Sequence, residues 1–167
     1  LDGDTYGDAS AFMHLLAEGN ILTMFRFSEF ISPTPVDKRI FQLVMQDEAR
    51  HVSYGMQHLK WTIDHTPERK EQLHSALDEG ESITINQFDA ALTECMIVLA
   101  GKGTKPEQIA EGVKIVGQLQ IKQMQEYFQR LRRAGFEDRI ARSKFTPMLS
   151  QLGLTPEFTS KAAAEVS

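Results

Sequence analysis

The sequence is poor in cysteine and in long apolar runs, and each shortage excludes a class of protein. Its 167 residues contain one cysteine, Cys95, so no intramolecular disulfide can form, and the composition agrees with a reducing compartment. No apolar stretch approaches the roughly 20 residues that cross a bilayer. The first residues also lack the basic start and apolar stretch of a signal peptide. We therefore expect a cytoplasmic protein without a membrane span.

Basic charge is also scarce. The net charge is -5, and phosphate binding normally requires a basic surplus, so we expect no nucleic-acid partner. The single basic cluster, Arg130-Leu131-Arg132-Arg133, fits the last turn of a helix, where the helix dipole favours cations. With 41% hydrophobic and 25% charged residues, the chain has the composition of an ordinary globular protein.

What the chain does contain is helical periodicity, and no strand alternation of useful length is visible. Pro35 and Pro106 suit the first turn of a helix, and Gly135 suits the end of one. The predicted helices cover about residues 8–30, 35–62, 65–80, 82–101, 107–133 and 137–144. We predict an all-α single domain over residues 1–159 and a disordered tail over residues 160–167.

A Glu-x-x-His pair stands out in the second predicted helix. Glu48 and His51 are three residues apart and therefore share a helix face. A further glutamate, Glu18, lies in the first helix. The segment Ser32-Pro33-Thr34-Pro35 cannot continue a helix, and each glutamate lies about 14 residues, or roughly 21 Å of helix, from it. A hairpin folded at this segment brings Glu18, Glu48 and His51 to one level.

Two carboxylates and one imidazole suit iron or manganese better than zinc. The pattern therefore predicts a metal site with Glu18, Glu48 and His51 as ligands. Two other interpretations stay open. Glu48 and His51 can be a surface pair, and Glu18 can be a surface residue or can pair with Arg26 or Arg50.

These residues also carry a family resemblance. Ala17-Glu18-Gly19, followed by the run from Gln46 to Gly55 (Gln-Asp-Glu-Ala-Arg-His-Val-Ser-Tyr-Gly), resembles the second half of a ferritin-like, R2-type di-iron carboxylate protein. The resemblance covers about residues 10–60. It implies a ferritin-like helical bundle in which this chain supplies the second helix pair of the four-helix core plus additional C-terminal helices. It also implies two Fe ions, or one Mn and one Fe, held by two sets of Glu … Glu-x-x-His.

The resemblance assigns roles to two residues beside the ligands, and helical spacing adds Tyr54 and His14 as candidates. Asp47 would hydrogen-bond a ligating histidine, and Arg50 would form a structural ion pair. Tyr54 follows His51 by one turn and can lie near the metals or fill the bundle core. His14 precedes Glu18 by one turn and can be an extra ligand or a residue of the core or of the ligands' surroundings.

Only half of the implied ligand set is present. The other Glu-x-x-His, Glu71 to His74, lies in a polar helix, and we interpret it as a surface coincidence. Either an N-terminal half is missing, or two copies complete the site about a two-fold axis. The start at Leu1, without Met, favours the missing half.

Three functions follow from these patterns. The leading one is a non-haem oxidoreductase that activates O2 and acts on a small apolar substrate. Its pocket would be lined by phenylalanines that can equally be core residues: Phe12, Phe25, Phe27, Phe30 and Phe41. The alternatives are a ferroxidase that handles iron and a metal-free helical interaction domain.

Overall fold

The computed structural model describes residues 6–86 and 90–154, and all regular structure within them is helical. The elements are α1 (Tyr6–Ser10), a π-helical segment (Ala11–Ala17), α2 (Glu18–Ile31), α3 (Pro35–His65), a 3-10 turn (Pro67–Arg69), α4 (Lys70–Asn86), α5 (Ala90–Gly101), α6 (Pro106–Arg133), α7 (Arg139–Arg142) and α8 (Phe145–Gln151). The protein is an all-α helical bundle, as the sequence predicts. The predicted tail, residues 160–167, lies outside the described residues.

The predicted hairpin is confirmed. One continuous helix runs from α1 through the π-helical segment to the end of α2, and Ser32 is extended. Thr34 caps α3, because its Oγ1 accepts a hydrogen bond of 3.2 Å from the backbone N–H of Asp37. Pro35 occupies the first turn, where its missing N–H costs nothing. The helix then continues to His65, and α2 packs along it.

The predicted end of a helix near Gly80 is wrong. α4 passes through Gly80 and extends to Asn86. Gly80 is buried against the first helix, since a Cβ placed there would lie 2.6 Å from Cδ2 of Phe12. This glycine therefore allows two helices to approach, and it does not end one. The short helix predicted near residues 137–144 is α7, and the sequence did not predict α8.

The core consists of two clusters of buried side chains. The larger joins the first helix, the C-terminal part of α3, α4 and the chain from α6 to α8, and includes Leu15, Leu59, Leu77 and Phe128. The smaller lies where α2 meets α5 and α6, around Phe27 and Val116. The predicted metal ligands, Glu18, Glu48 and His51, belong to neither cluster.

A buried ionic network ties α4 to the C-terminal helices. Glu81, Tyr127 and Arg139 are almost fully buried. Tyr127 donates its hydroxyl to Oε1 of Glu81 at 2.7 Å, and Arg139 Nη2 lies 3.0 Å from Oε2 of Glu81. The backbone N–H of Lys144 also donates to Oε2 at 2.8 Å. Burial raises the pKa of Tyr127 well above its ordinary value. The phenol therefore keeps its proton and donates a hydrogen bond to the carboxylate of Glu81.

No single helix of the described ranges combines the length and apolarity needed to cross a membrane. Two consecutive helical segments, Pro67–Ile85 and Ala90–Gly101, are long and apolar enough only when they are taken together, and they are bent by 66° relative to each other.

Candidate metal centre

The α2–α3 hairpin brings the three predicted ligands together. Donor atoms of Glu18, Glu48 and His51 all lie within 4.8 Å of one another. Glu18 is the first residue of α2, and Glu48 and His51 lie in the middle of α3. Within the described ranges, no other group of three or more His, Cys, Asp and Glu side chains meets this condition. The equal spacing of Glu18 and Glu48 from the turn therefore brings the three side chains together, as the sequence predicts.

The site lies between the hairpin interior and the solvent. The Glu48 side chain is 15% exposed, whereas that of His51 is 61% exposed, and Nδ1 of His51 lies 3.7 Å from Oε2 of Glu48. Glu18 is also largely covered, with a side-chain exposure of 16%. The carboxylates thus face inward, and the imidazole leaves one side of the site open to a further ligand.

His14 contacts Glu18 directly. Its Nδ1 lies 2.5 Å from Oε2 of Glu18, across one turn of the chain. His14 belongs to the π-helical segment, and the backbone N–H of Glu18 donates to the carbonyl of Met13, five residues earlier. Wide turns of this kind frequently mark functional sites. The contact is compatible with both roles considered from the sequence, namely extra ligand and hydrogen-bonding partner.

Two residues that the sequence did not connect with the site, Gly55 and Arg130, pack against the helix that carries His14 and Glu18. Gly55 of α3 faces His14, and a Cβ there would lie 2.0 Å from Cγ of His14. The buried Arg130 donates from Nε to the carbonyl of Leu15 at 2.7 Å, and its guanidinium fills the space that a side chain at Gly19 would need. Burial lowers the pKa of Arg130 to about 10. Its place in a basic cluster at a helix end concealed this role.

The two carboxylates of the site oppose each other. Burial raises the pKa of Glu48, and the nearby Glu18 raises it further, while His51 and His14 lower it. A cation between Glu18 and Glu48 would remove this repulsion. The donor set, two carboxylates and one imidazole, also matches Fe(II) or Mn(II). The residues present therefore fit a metal of this class.

Arg26 and Arg50, which the sequence suggested as ion-pair partners of Glu18, pair with other residues. Arg26 donates from Nη1 to Oε1 of Glu126 at 2.6 Å. Arg50 pairs with Asp47 one turn earlier in α3. The interpretation of Glu18 as the partner of either arginine is wrong, and the carboxylate contacts His14 instead.

Two neighbours of the predicted ligands lie on the exposed side of α3, contrary to expectation. The resemblance implies that Asp47 holds a histidine, but in the single chain Asp47 pairs with Arg50 on the exposed face of α3. The interpretation of Tyr54 as a core residue is also wrong, since it is 60% exposed. Its ring lies edge-on to His14 and stacks on His58, both with centroids 6.5 Å apart. Tyr54 therefore lines the rim of the site.

Of the two residues in the second Glu-x-x-His, only the glutamate lies at the surface. Glu71 is exposed and pairs with Arg142. His74 is buried, contrary to the prediction, and its Nε2 lies 3.2 Å from Oδ2 of Asp138. Burial lowers the pKa of His74, so this histidine is neutral at pH 7. The pair does not form a second metal site, because its two side chains have separate partners.

The phenylalanines suggested for a substrate pocket are dispersed. Phe12 and Phe27 pack against different core clusters. Phe25 and Phe41 meet between α2 and α3 with centroids 6.1 Å apart, and Phe30 is exposed. Phe27 and Phe30 line one open cavity between α2 and α6, but the five rings do not share a single pocket.

Comparisons of the chain with protein-family models, with curated proteins and with solved structures found no match.

Proposed function

We propose that Glu18, Glu48 and His51 bind an Fe or Mn ion, and that the chain supplies one half of the ligands of a non-haem, O2-activating oxidoreductase. The observation that carries the proposal is the convergence of three donor groups within 4.8 Å. Their types and order along the chain resemble those of R2-type, ferritin-like di-iron proteins. The second half of the ligand set would come from outside the described hairpin.

The electrostatics of the site support a bound cation. The charge of Glu18 raises the pKa of Glu48, so the two carboxylates are poorly placed for an ordinary ion-pair network, and the neighbouring Arg26 and Arg50 pair elsewhere. Half-burying such a pair costs free energy that a metal can offset. His14 would hold Glu18 in place through its contact at 2.5 Å.

A bound pair of such metals supplies the redox chemistry that reduces O2. The chain's own residues would contribute the geometry: Glu18 and Glu48 would hold the metal from the hairpin interior, and His51 would hold it from the solvent side. Tyr54 borders the site at the surface and would restrict access to it. A small apolar substrate would have to approach past this rim.

A ferroxidase is the second candidate, and one observation favours it. His51 is 61% exposed, so the site is directly accessible to hydrated Fe(II). An oxygenase, by contrast, requires an enclosed and dry cavity around the reacting metals.

Metal analysis of the purified chain tests the proposal. We expect binding of Fe(II) under anaerobic conditions, or of Mn(II), and a loss of at least about tenfold in affinity for Glu18→Ala, Glu48→Ala and His51→Ala. Glu111→Ala is the control, because Glu111 is an exposed glutamate on α6. A wild-type chain that binds neither metal would leave the metal-free helical domain as the remaining function.

Excess Fe(II) in air then separates the two metal-dependent functions. Oxidation of many irons per chain, without consumption of an organic substrate, would identify a ferroxidase and exclude the oxygenase.

A further inference from the structure

An exposed apolar stripe runs along α3. Its members recur at helical spacing on one side of the helix: Val36, Ile40, Leu43, Tyr54 and Trp61. The buried residues of α3 are Val52, Gly55, Leu59 and Thr62, all in its C-terminal half. Residues 35–51 contain no buried residue. Exposed large apolar side chains that recur along one helix face indicate an interaction site.

The metal ligands lie at the centre of this stripe's length. Glu48 and His51 fall between Leu43 and Tyr54 in α3, and His51 is turned toward the solvent. Three ligands from this chain leave coordination positions open, and a carboxylate-bridged metal pair uses two such sets. Among the described residues, the same surface thus has neither a packing partner nor a second set of ligands.

Four of the five stripe members are placed symmetrically along α3 about the midpoint between Glu48 and Ala49, whereas Ile40 would face Gln57. Leu43 and Tyr54 are equally distant from this midpoint, and so are Val36 and Trp61. The same holds for Asp47 and Arg50, which carry opposite charges and are both exposed. An antiparallel copy of α3 turned about this midpoint would therefore place apolar side chains opposite apolar ones at these four positions, and acid opposite base at Asp47 and Arg50. Such self-complementarity is the property of an interface between identical chains.

We propose that a second copy of this chain docks on the stripe of α3 about a two-fold axis that passes between Glu48 and Ala49. Leu43 then faces the partner's Tyr54, and Asp47 faces the partner's Arg50. The two hairpins bring two sets of Glu18, Glu48 and His51 to one axis, where they hold the metal pair. The role of the metals rests on the proposed function, whereas the docking depends on the stripe alone.

The oligomeric state of the full chain, measured by sedimentation equilibrium, is the first test. The wild type should be a dimer, and Mn(II) should raise the association constant of dimerisation. Leu43→Lys should make the chain monomeric and lower Mn(II) affinity at least tenfold, although Leu43 has no donor atom. Leu99→Lys is the matched control, since Leu99 is an exposed leucine on α5, 59% exposed against 47% for Leu43. It should remain a dimer with unchanged metal affinity.

A charge exchange tests the register. Asp47→Arg alone and Arg50→Asp alone should each be monomeric, because like charges would face each other across the axis. A mixture of these two variants should form a heterodimer and regain Mn(II) binding. Each chain in the mixture still lacks its own internal pair between positions 47 and 50. Recovery would therefore arise only from contact between chains.

Several results would overturn the docking. A wild-type chain that stays monomeric with metal bound would mean that another partner covers the stripe, and would leave the metal site standing. A dimer insensitive to Leu43→Lys, or a mixture that does not recover, would place the interface elsewhere. Conversely, a dimer with the expected variant pattern but no affinity for Fe(II) or Mn(II) would refute the proposed function and keep the docking.

Discussion

Gly55 of α3 and His14 of the π-helical segment lie so close that no side chain fits between them. A Cβ at position 55 would lie 2.0 Å from Cγ and 2.1 Å from Cδ2 of His14. Because His14 in turn contacts Glu18 at 2.5 Å, this close approach of two helices holds one ligand of the candidate metal centre. A residue without any functional group therefore determines the position of a carboxylate.

Gly55→Ala should destabilise the protein. The added methyl group forces His14 or α3 to move, and overpacking of this kind costs about 1–3 kcal/mol of the free energy of unfolding. Gly117→Ala is the control, since nothing lies within 4 Å of a Cβ at Gly117 in α6. That change should stabilise the protein by about 0.5–1 kcal/mol. Urea unfolding of both variants measures these changes. Equal free energies of unfolding for the two variants would contradict the tight packing of Gly55 against His14.

His14→Ala should weaken metal binding without abolishing it. If His14 only orients Glu18, Mn(II) affinity should fall by about 10- to 100-fold, as for other residues that hold a ligand. Titration calorimetry with Mn(II) measures the change. An unchanged affinity would show that the contact between His14 and Glu18 is irrelevant to binding, and a loss as large as that of Glu18→Ala would identify His14 as a ligand.

Glu48→Gln should have opposite effects with and without metal. Burial and the nearby Glu18 raise the pKa of Glu48, so its charged form disfavours folding at neutral pH and the neutral amide removes this cost. In the presence of a chelator the variant should be more stable than the wild type at pH 7. The advantage should shrink as the pH falls through the raised pKa of Glu48, because the wild-type carboxyl then becomes neutral in the folded state.

The same variant should lose the stabilisation that Mn(II) provides, since an amide is a poorer ligand than a carboxylate. Thermal unfolding of wild type and Glu48→Gln between pH 4 and pH 8, with chelator and with Mn(II), measures both effects. Glu111→Gln, at an exposed position, should show neither. A variant less stable than wild type in chelator at pH 7 would contradict the repulsion between Glu18 and Glu48.

Arg130→Met should lower the free energy of unfolding by about 1–3 kcal/mol, because the buried carbonyl of Leu15 loses its donor. Arg26→Met is the control. Arg26 is half-exposed and its pair with Glu126 is near the surface, so we expect a loss below about 1 kcal/mol. Chemical denaturation distinguishes the two. Equal losses would mean that the bond from Arg130 to Leu15 contributes little.

Glu81→Ala should be the most damaging of these changes. It would leave the buried Arg139 with only its second carboxylate partner, Asp78, and Tyr127 without its acceptor. Breaking a buried ion pair from one side costs about 3–5 kcal/mol. Glu71→Ala removes an exposed partner of Arg142 and should change the melting temperature far less. A melting temperature of Glu81→Ala close to that of the wild type would show that the network is not structural.

The sequence alone determined the helices of the hairpin and the level at which its ligands meet. Those features are local: proline at Pro35 and the cap at Thr34 start α3, and helical rise sets how far Glu18 and Glu48 lie from the turn. The three-residue spacing of Glu48 and His51 likewise places both on one face by helix geometry alone.

Only the tertiary structure decided what surrounds the ligands, since burial and partnership depend on contacts between residues far apart in the chain. Arg130 reaches the carbonyl of Leu15 across 115 positions, and Gly80 is a packing residue only because Phe12 lies against it. The same holds for Tyr54, which lies outside the core, and for Glu18, which contacts His14 and no arginine. Periodicity places a residue on a helix face, but the neighbouring helices decide whether that face is covered.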